Sequence, residues 1–295
     1  MRISKKASKQ KQVLEVIQKY GPISTSTLYK ILGEQTSKRY LRHVARKLQA
    51  DQLLVNATLN IKGQPSPYYY LSRKNKSKQE IARILGIRVG EVGSSTARYS
   101  NLAHEDMLAQ IQFEIESQFP DVILIRDWQL TKSCVPPLVF SRRLMEEFCP
   151  DIIVGLPVTY SNAKGLRKSH RWVAVELERH RKKHSRVKTK LRDYAERTGL
   201  DGVLYMLPER SLEKQYQAYF KEKATLKALQ MKGYKNCFFA TTHLPKEGFS
   251  VFSHHLNFSN GRTSIYNWFD FLKNTDKRNR STSWLKFSSQ AEILA

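Results

Sequence analysis

Cysteine is scarce in this chain of 295 residues, which has three, Cys134, Cys149 and Cys237. They stand too far apart to frame a structural zinc site or a disulfide scaffold, and read as buried free thiols of a reducing compartment. No Gly-x-x-x-x-Gly-Lys-[Ser/Thr] loop occurs, which argues against an ATPase or helicase. No apolar run approaches the roughly 20 residues of a membrane helix, and no basic amphipathic helix suits a membrane surface, so no membrane partner is expected. Met1-Arg2-Ile3-Ser4-Lys5-Lys6 leads into polar sequence without an apolar signal core, which predicts a cytoplasmic protein. Acid is also in short supply: 26 Asp and Glu face 51 Lys and Arg, a formal net charge of +25. A hydrophobic share of 40% is enough for real cores, so the chain is no disordered basic tail. An excess of this size points to a polyanionic partner.

The first 75 residues carry a regular pattern. Val13, Leu14 and Ile17 have helical spacing between Ser8 and Tyr20, and Gly21-Pro22 stops that helix. Ser24 or Thr25 can cap a second helix bearing Leu28, Ile31 and Leu32, which Gly33 ends. A third, from about Ser37 to Ala50, buries Leu41, Val44 and Leu48 and shows Lys38, Arg39, Arg42, His43 and Arg46 on its other side. Two strands follow, Leu53 to Ile61 and Tyr68 to Leu71, around a turn containing Lys62. Three helices and a hairpin make a winged helix-turn-helix, which lays its third helix in the major groove of double-stranded DNA. There Arg reaches guanine edges and Lys reaches phosphate. On its own such a basic face is as often merely solvated; position and overall charge favour DNA.

The polar stretch 72–78 looks like a linker, so the expected domains are 1–75, 76–250 and a C-terminal extension, 251–295, of no assigned role. Asn101 to Phe119 reads as an amphipathic helix. Strands are expected at Val122–Trp128, Asp151–Leu156 and Arg171–Arg179, then a basic helix at Ser185–Thr198 and a strand at Gly202–Leu207. A helix at Ser211–Gly233 and a strand at Cys237–Thr242 complete an α/β domain, an α+β mixed sheet with helices packed on it.

Within it, Asp151 follows Pro150 at the start of an apolar strand, and Glu176 and Glu178 lie inside another. Strand residues alternate faces, so the two glutamates point the same way, about 7 Å apart. Val173, Val175 and Leu177 turn to the core. Acids placed mid-strand call for something cationic between them. A divalent metal carrying a DNA phosphate is one candidate. Ordinary ion pairs are another, since Glu176 and Glu178 can pair with Arg179, Arg181 or Arg192. The run Arg179-His180-Arg181-Lys182-Lys183-His184, continued by Arg186, Lys188, Lys190 and Arg192, is the densest basic block and, beside a phosphate-cutting site, would track the DNA backbone.

A Pro-Asp strand start, a following Glu-x-Glu strand and an acid-bearing helix before both resemble the PD-(D/E)xK nuclease superfamily. With the N-terminal module, the chain resembles the replication-relaxation proteins, a group that includes the MOBC-type plasmid relaxases, over roughly residues 10 to 210. The resemblance implies a metal-dependent DNA endonuclease that nicks or processes mobile-element DNA. It matches Asp151 to the Pro-Asp acid, Glu176 to the first acid of the next strand, and Glu178 to a position often held by lysine. His104 and Glu105 match a His-Glu pair on the first helix, and Lys190 and Tyr194 match the basic helix after the acids. The implied catalytic set is Glu105, Asp151, Glu176, Glu178 and Lys190, with His104 and Tyr194 as accessories. Mg²⁺ or Mn²⁺ would sit on Asp151, Glu176 and Glu178. Partners would be double-stranded DNA, single-stranded at the cutting site, and other transfer, replication or transposition proteins. Two alternatives stand beside this: a replication or transcription factor whose nuclease-like domain only binds DNA, and a transposon or defence nuclease making double-strand breaks.

Overall fold

The structure, a computed structural model, describes residues 8–33, 36–61, 64–93, 102–132, 139, 149–162, 165–179, 181–222, 225, 227, 238–243, 255–258 and 261–274. It is a mixed α/β protein, and the chain divides into two compact units, Met1–Phe113 and Glu114–Ala295.

The first unit begins with three helices, α1 (Lys9–Tyr20), α2 (Thr25–Leu32) and α3 (Lys38–Ala50). Each starts at a serine whose hydroxyl accepts a backbone N–H of the first turn: Ser8 from Lys11, Ser24 from Thr27 and Ser37 from Tyr40. Gly21 and Gly33 end α1 and α2 at φ of 85° and 79°, where a side chain would be strained. Between α1 and α2 lies the short β1 (Ile23–Ser24). After α3 come β2 (Leu54–Ile61) and β3 (Gln64–Leu71), paired antiparallel, and the sheet order is β1-β3-β2. The polar stretch expected to be a linker instead runs into helix α4 (Asn75–Leu85), which includes residues 75–78 and whose Ile81, Ala82 and Leu85 join one core with Val13, Leu14, Leu41 and Leu48. Helix α5 (Leu102–Gln118) crosses the division between the units. In its first half, Asp106 Oδ1 accepts the Ser24 N–H at 2.6 Å, and Gln110 reaches Thr27 at 3.1 Å.

The second unit is built on a seven-stranded mixed sheet. Its strands are β4 (Ile123–Arg126), β5 (Ile152–Asn162), β6 (Gly165–Leu177), β7 (Gly202–Leu207), β8 (Phe239–His243), β9 (His255–Phe258) and β10 (Gly261–Ser264), in spatial order from β10 back to β4. The pairs β6–β7 and β7–β8 are parallel and the rest antiparallel. The parallel crossovers run through helices, α6 (His184–Arg197) between β6 and β7, and α7 (Arg210–Phe220) between β7 and β8. A last helix, α8 (Ile265–Asn274), follows β10. Trp268 of α8 sits on the strand-β7 backbone at Gly202, where an added Cβ would lie 2.6 Å from the indole. Phe269 meets Phe119 at 5.5 Å between ring centroids. That face also carries Val173, Val175, Leu204 and Met206, all fully buried. The other face carries the acids and receives α6 and α7, so the sheet is covered on both sides, as its parallel centre requires. Among the described residues no helix is long and apolar enough to cross a membrane.

Candidate active site

The acids lie where the sheet's pairing puts them. Ile152 pairs with Val175, which sets Asp151, just ahead of β5, beside Glu176 on β6. Asp151 Oδ2 accepts the Leu177 N–H at 2.7 Å, and the Asp151 carbonyl accepts the Asp127 N–H at 3.2 Å. On the other side Glu176 pairs with Tyr205 of β7, and Tyr205 with Thr241 of β8. Side chains alternate along each strand, so Asp151, Glu176, Tyr205 and Thr241 form one row across one face.

The helices close over that row. Lys190 and Tyr194, one turn apart on α6, both reach Glu176. The Lys190 ammonium lies 2.7 Å from Glu176 Oε2, and the Tyr194 hydroxyl donates to Oε1. Glu178 bonds Lys182 at 2.6 Å and accepts from Tyr216 of α7. Further along, Thr241 donates to Glu213 of α7 at 2.9 Å.

Charge and burial tune these groups. Burial raises the Glu176 carboxyl above its ordinary value; Lys190 opposes that and the charge on Asp151 adds to it. Burial works against the Lys190 charge, yet Glu176, Asp151 and Glu178 outweigh it and hold the ammonium above its usual range. Lys190 is therefore a permanent cation among three carboxylates. Tyr194 and Tyr205 are pushed well up by burial and then by Glu176, so both stay protonated. The Cys149 thiol is pushed up to about 12, first by burial and then by Asp127, Glu176 and Asp151. It is an inert thiol, its Sγ 3.9 Å from the Asp127 carbonyl.

Of the residues singled out in the sequence, the fold brings together Asp151, Glu176, Glu178, Lys190 and Tyr194. His104 and Glu105 lie on the part of α5 that belongs to the first unit, with His104 Nδ1 3.9 Å from a Glu105 oxygen. Lys38, Arg39, Arg42, His43 and Arg46 are all exposed on α3. Arg181 and Lys183 are exposed, Arg179 and Lys182 half-buried, and His180 and Lys62 fall outside the described residues. Three residues close to the acids escaped the sequence reading: Asp127, Tyr205 and Tyr216. Asp127 ends the Ile-Leu-Ile-Arg strand, and only antiparallel pairing brings it to Asp151.

The fit to a metal can be weighed on these donors. Among the described residues no three His, Cys, Asp or Glu side chains converge as a metal-binding group, since Glu178 is drawn to Lys182. A hard ion such as Mg²⁺ keeps several waters and asks the protein for only one or two carboxylates. Asp151 and Glu176 offer two, side by side, with Lys190 and Tyr194 already bonded to the Glu176 oxygens, so an ion there would take their remaining lone pairs. No family model, curated protein or solved structure matches the chain.

Proposed function

We propose that the protein is a metal-dependent DNA endonuclease, nicking or processing mobile-element DNA as relaxases do. The observation that carries the reading is the pairing of Asp151 and Glu176 on adjacent strands, with the Lys190 ammonium 2.7 Å from Glu176. Mg²⁺ or Mn²⁺ on Asp151 and Glu176 would neutralise phosphate charge and make bound water acidic enough to attack. Lys190 and Tyr194 hold Glu176 in one orientation, and the Leu177 N–H does the same for Asp151. The row of strands and helices is compatible with a PD-(D/E)xK nuclease-like domain. The three helices, hairpin and small sheet of the first unit are compatible with a winged helix.

The exposed side of α3 supports the DNA-reading role. Arg39, Arg42 and Arg46 make no ion pair among the described residues, and Lys38 only overlies the Tyr29 ring, at 5.3 Å. A helix side with several cations and no carboxylate is suited to phosphates and base edges.

One observation favours a second reading, a DNA-binding replication or transcription factor that does not cut. Lys190 already neutralises Glu176, so the pair is complete without a metal. Cleavage of a supercoiled plasmid bearing DNA from the gene's own neighbourhood separates the two, run with Mg²⁺, Mn²⁺ or EDTA. The nuclease reading expects metal-dependent cutting that Asp151→Ala and Glu176→Ala each reduce at least a hundredfold. Nicked product identifies a relaxase-like enzyme and linear product a double-strand cutter. Tight binding by all three proteins without cutting would leave the binding factor.

A further inference from the structure

Beyond the acids, the chain leaves β6 through Arg179 and Arg181 and walls a cavity of about 470 Å³ against the start of α7. Arg179 and Arg181 line one side, and Glu209, Ser211, Leu212 and Gln215 the other. The cavity lies where the parallel strands β6 and β7 end, the usual place for ligands in a sheet of this kind. It is also next to the acids. Glu178 directly precedes Arg179, and Tyr216, which bonds Glu178, follows Gln215 on the same helix.

Neither arginine has a hydrogen-bond or ion-pair partner among the described residues, whereas their neighbours Lys182, Lys188 and Lys190 are paired with Glu178, Glu222 and Glu176. Two unpaired guanidiniums at one cavity wall present planar forks that suit phosphate oxygens. The first turn of α7 adds backbone N–H groups with no acceptor inside the helix, and its capping residue Glu209 supplies no side-chain cap. The lining is not purely cationic. Glu209 accepts the Ser211 hydroxyl at 3.1 Å and, with Gln215, offers places for hydrogen-bond donors. Bare phosphate would leave most of the volume empty and would meet the Glu209 charge. A nucleotide would fill it, with phosphate on the arginines and sugar or base donors toward Glu209 and Gln215. The volume lies in the range of small-molecule sites.

We propose that this cavity binds a nucleotide through its phosphate. The proposal rests on the nucleic-acid reading above only for its source: the nucleotide is part of the strand held beside the acids. It is tested without cutting, in EDTA, on the full chain. Deoxyadenosine monophosphate, deoxyadenosine and a labelled single-stranded oligonucleotide are titrated into wild type, Arg179→Gln/Arg181→Gln and Lys168→Gln/Lys221→Gln. The last variant removes the same charge from exposed positions on β6 and just after α7, outside the cavity lining. Removing two charge-assisted hydrogen-bonding groups should weaken phosphate-dependent binding roughly 10- to 100-fold in the cavity variant, against less than about threefold in the Lys168/Lys221 variant. Arg179→Lys/Arg181→Lys should recover part of the affinity, which a folding defect would not allow. Weakening for monophosphate and oligonucleotide alike assigns the cavity to any nucleotide phosphate, and weakening for the oligonucleotide alone assigns it to the strand. Equal weakening in the cavity and Lys168/Lys221 variants, or none in either, overturns the proposal. Since no cleavage is read, these outcomes stand apart from the plasmid experiment.

Discussion

Glu176 is 2% exposed in the middle of a strand, a position where proteins tolerate a carboxylate only with a partner in place. Lys190 is that partner, and removing it strands the carboxylate. Lys190→Met should therefore cost roughly 3 kcal/mol in urea unfolding, and Glu176→Gln introduced with it should restore most of that stability. A Lys190→Met chain as stable as wild type would show that the pair contributes nothing to folding. Much of this site was legible in the sequence. Period-two alternation alone puts Glu176 and Glu178 on one face. The spacing of Lys190 and Tyr194 puts both on one side of a helix. Tyr205 and Asp127 were not legible, because they reach Glu176 and Asp151 through strand pairing, and pairing leaves no mark in local sequence. The fate of Glu178 was equally hidden: Lys182, four residues on, claims it.

Helix ends and glycines made the elements of the first unit readable. Three serines and two glycines mark where α1, α2 and α3 begin or stop, so those boundaries fall within a residue or two of expectation. Asp106 is a different case, for its role is to satisfy the Ser24 N–H from a distant helix. Burial raises its carboxyl above the ordinary value, with hydrogen bonds from Ser24, Thr27 and Gln110 opposing. A raised value means that the folded state holds the proton more tightly than the unfolded chain does. The stability this contributes is fully present below the unfolded value near 3.8 and is lost as pH rises through the folded value. Asp106→Asn keeps the acceptor and removes the charge, so its urea midpoint should match wild type near pH 3 and equal or exceed it at pH 7. Asp106→Ala, which orphans a buried N–H, should be less stable by about 2 kcal/mol at both. The reverse order of the two variants at pH 7 would rule out the hydrogen-bonding role. Parts of the second unit went unread. Strands β5 and β6 extend well past the expected Leu156 and start before Arg171, as a long hairpin through polar residues that sequence alone gives no reason to pair. Helix α8 lies in the segment expected to have no assigned role, yet its Trp268, Phe269 and Leu272 are fully buried against the sheet.

Across the whole chain the governing quantity is charge. A net charge of +25 with an exposed basic side on α3 predicts DNA binding that weakens steeply with salt. Arg39→Ala, Arg42→Ala and Arg46→Ala together should make the log–log salt slope shallower by roughly 2 to 3, about 0.9 for each phosphate no longer neutralised. An unchanged slope would move the DNA footprint off α3. The sequence by itself determined the mixed α/β class, the run of helices and hairpin at the start, the face on which the acids lie and the large positive excess of charge. All of these follow from local periodicity, capping residues and composition, which act over a few residues or over the sum of all. Tertiary structure alone decided which acid meets which cation, that Asp127 and Tyr205 stand beside the acids, and that Arg179 and Arg181 line a cavity without an ion-pair partner among the described residues. These depend on the meeting of residues far apart in the chain, fixed by strand register and helix packing.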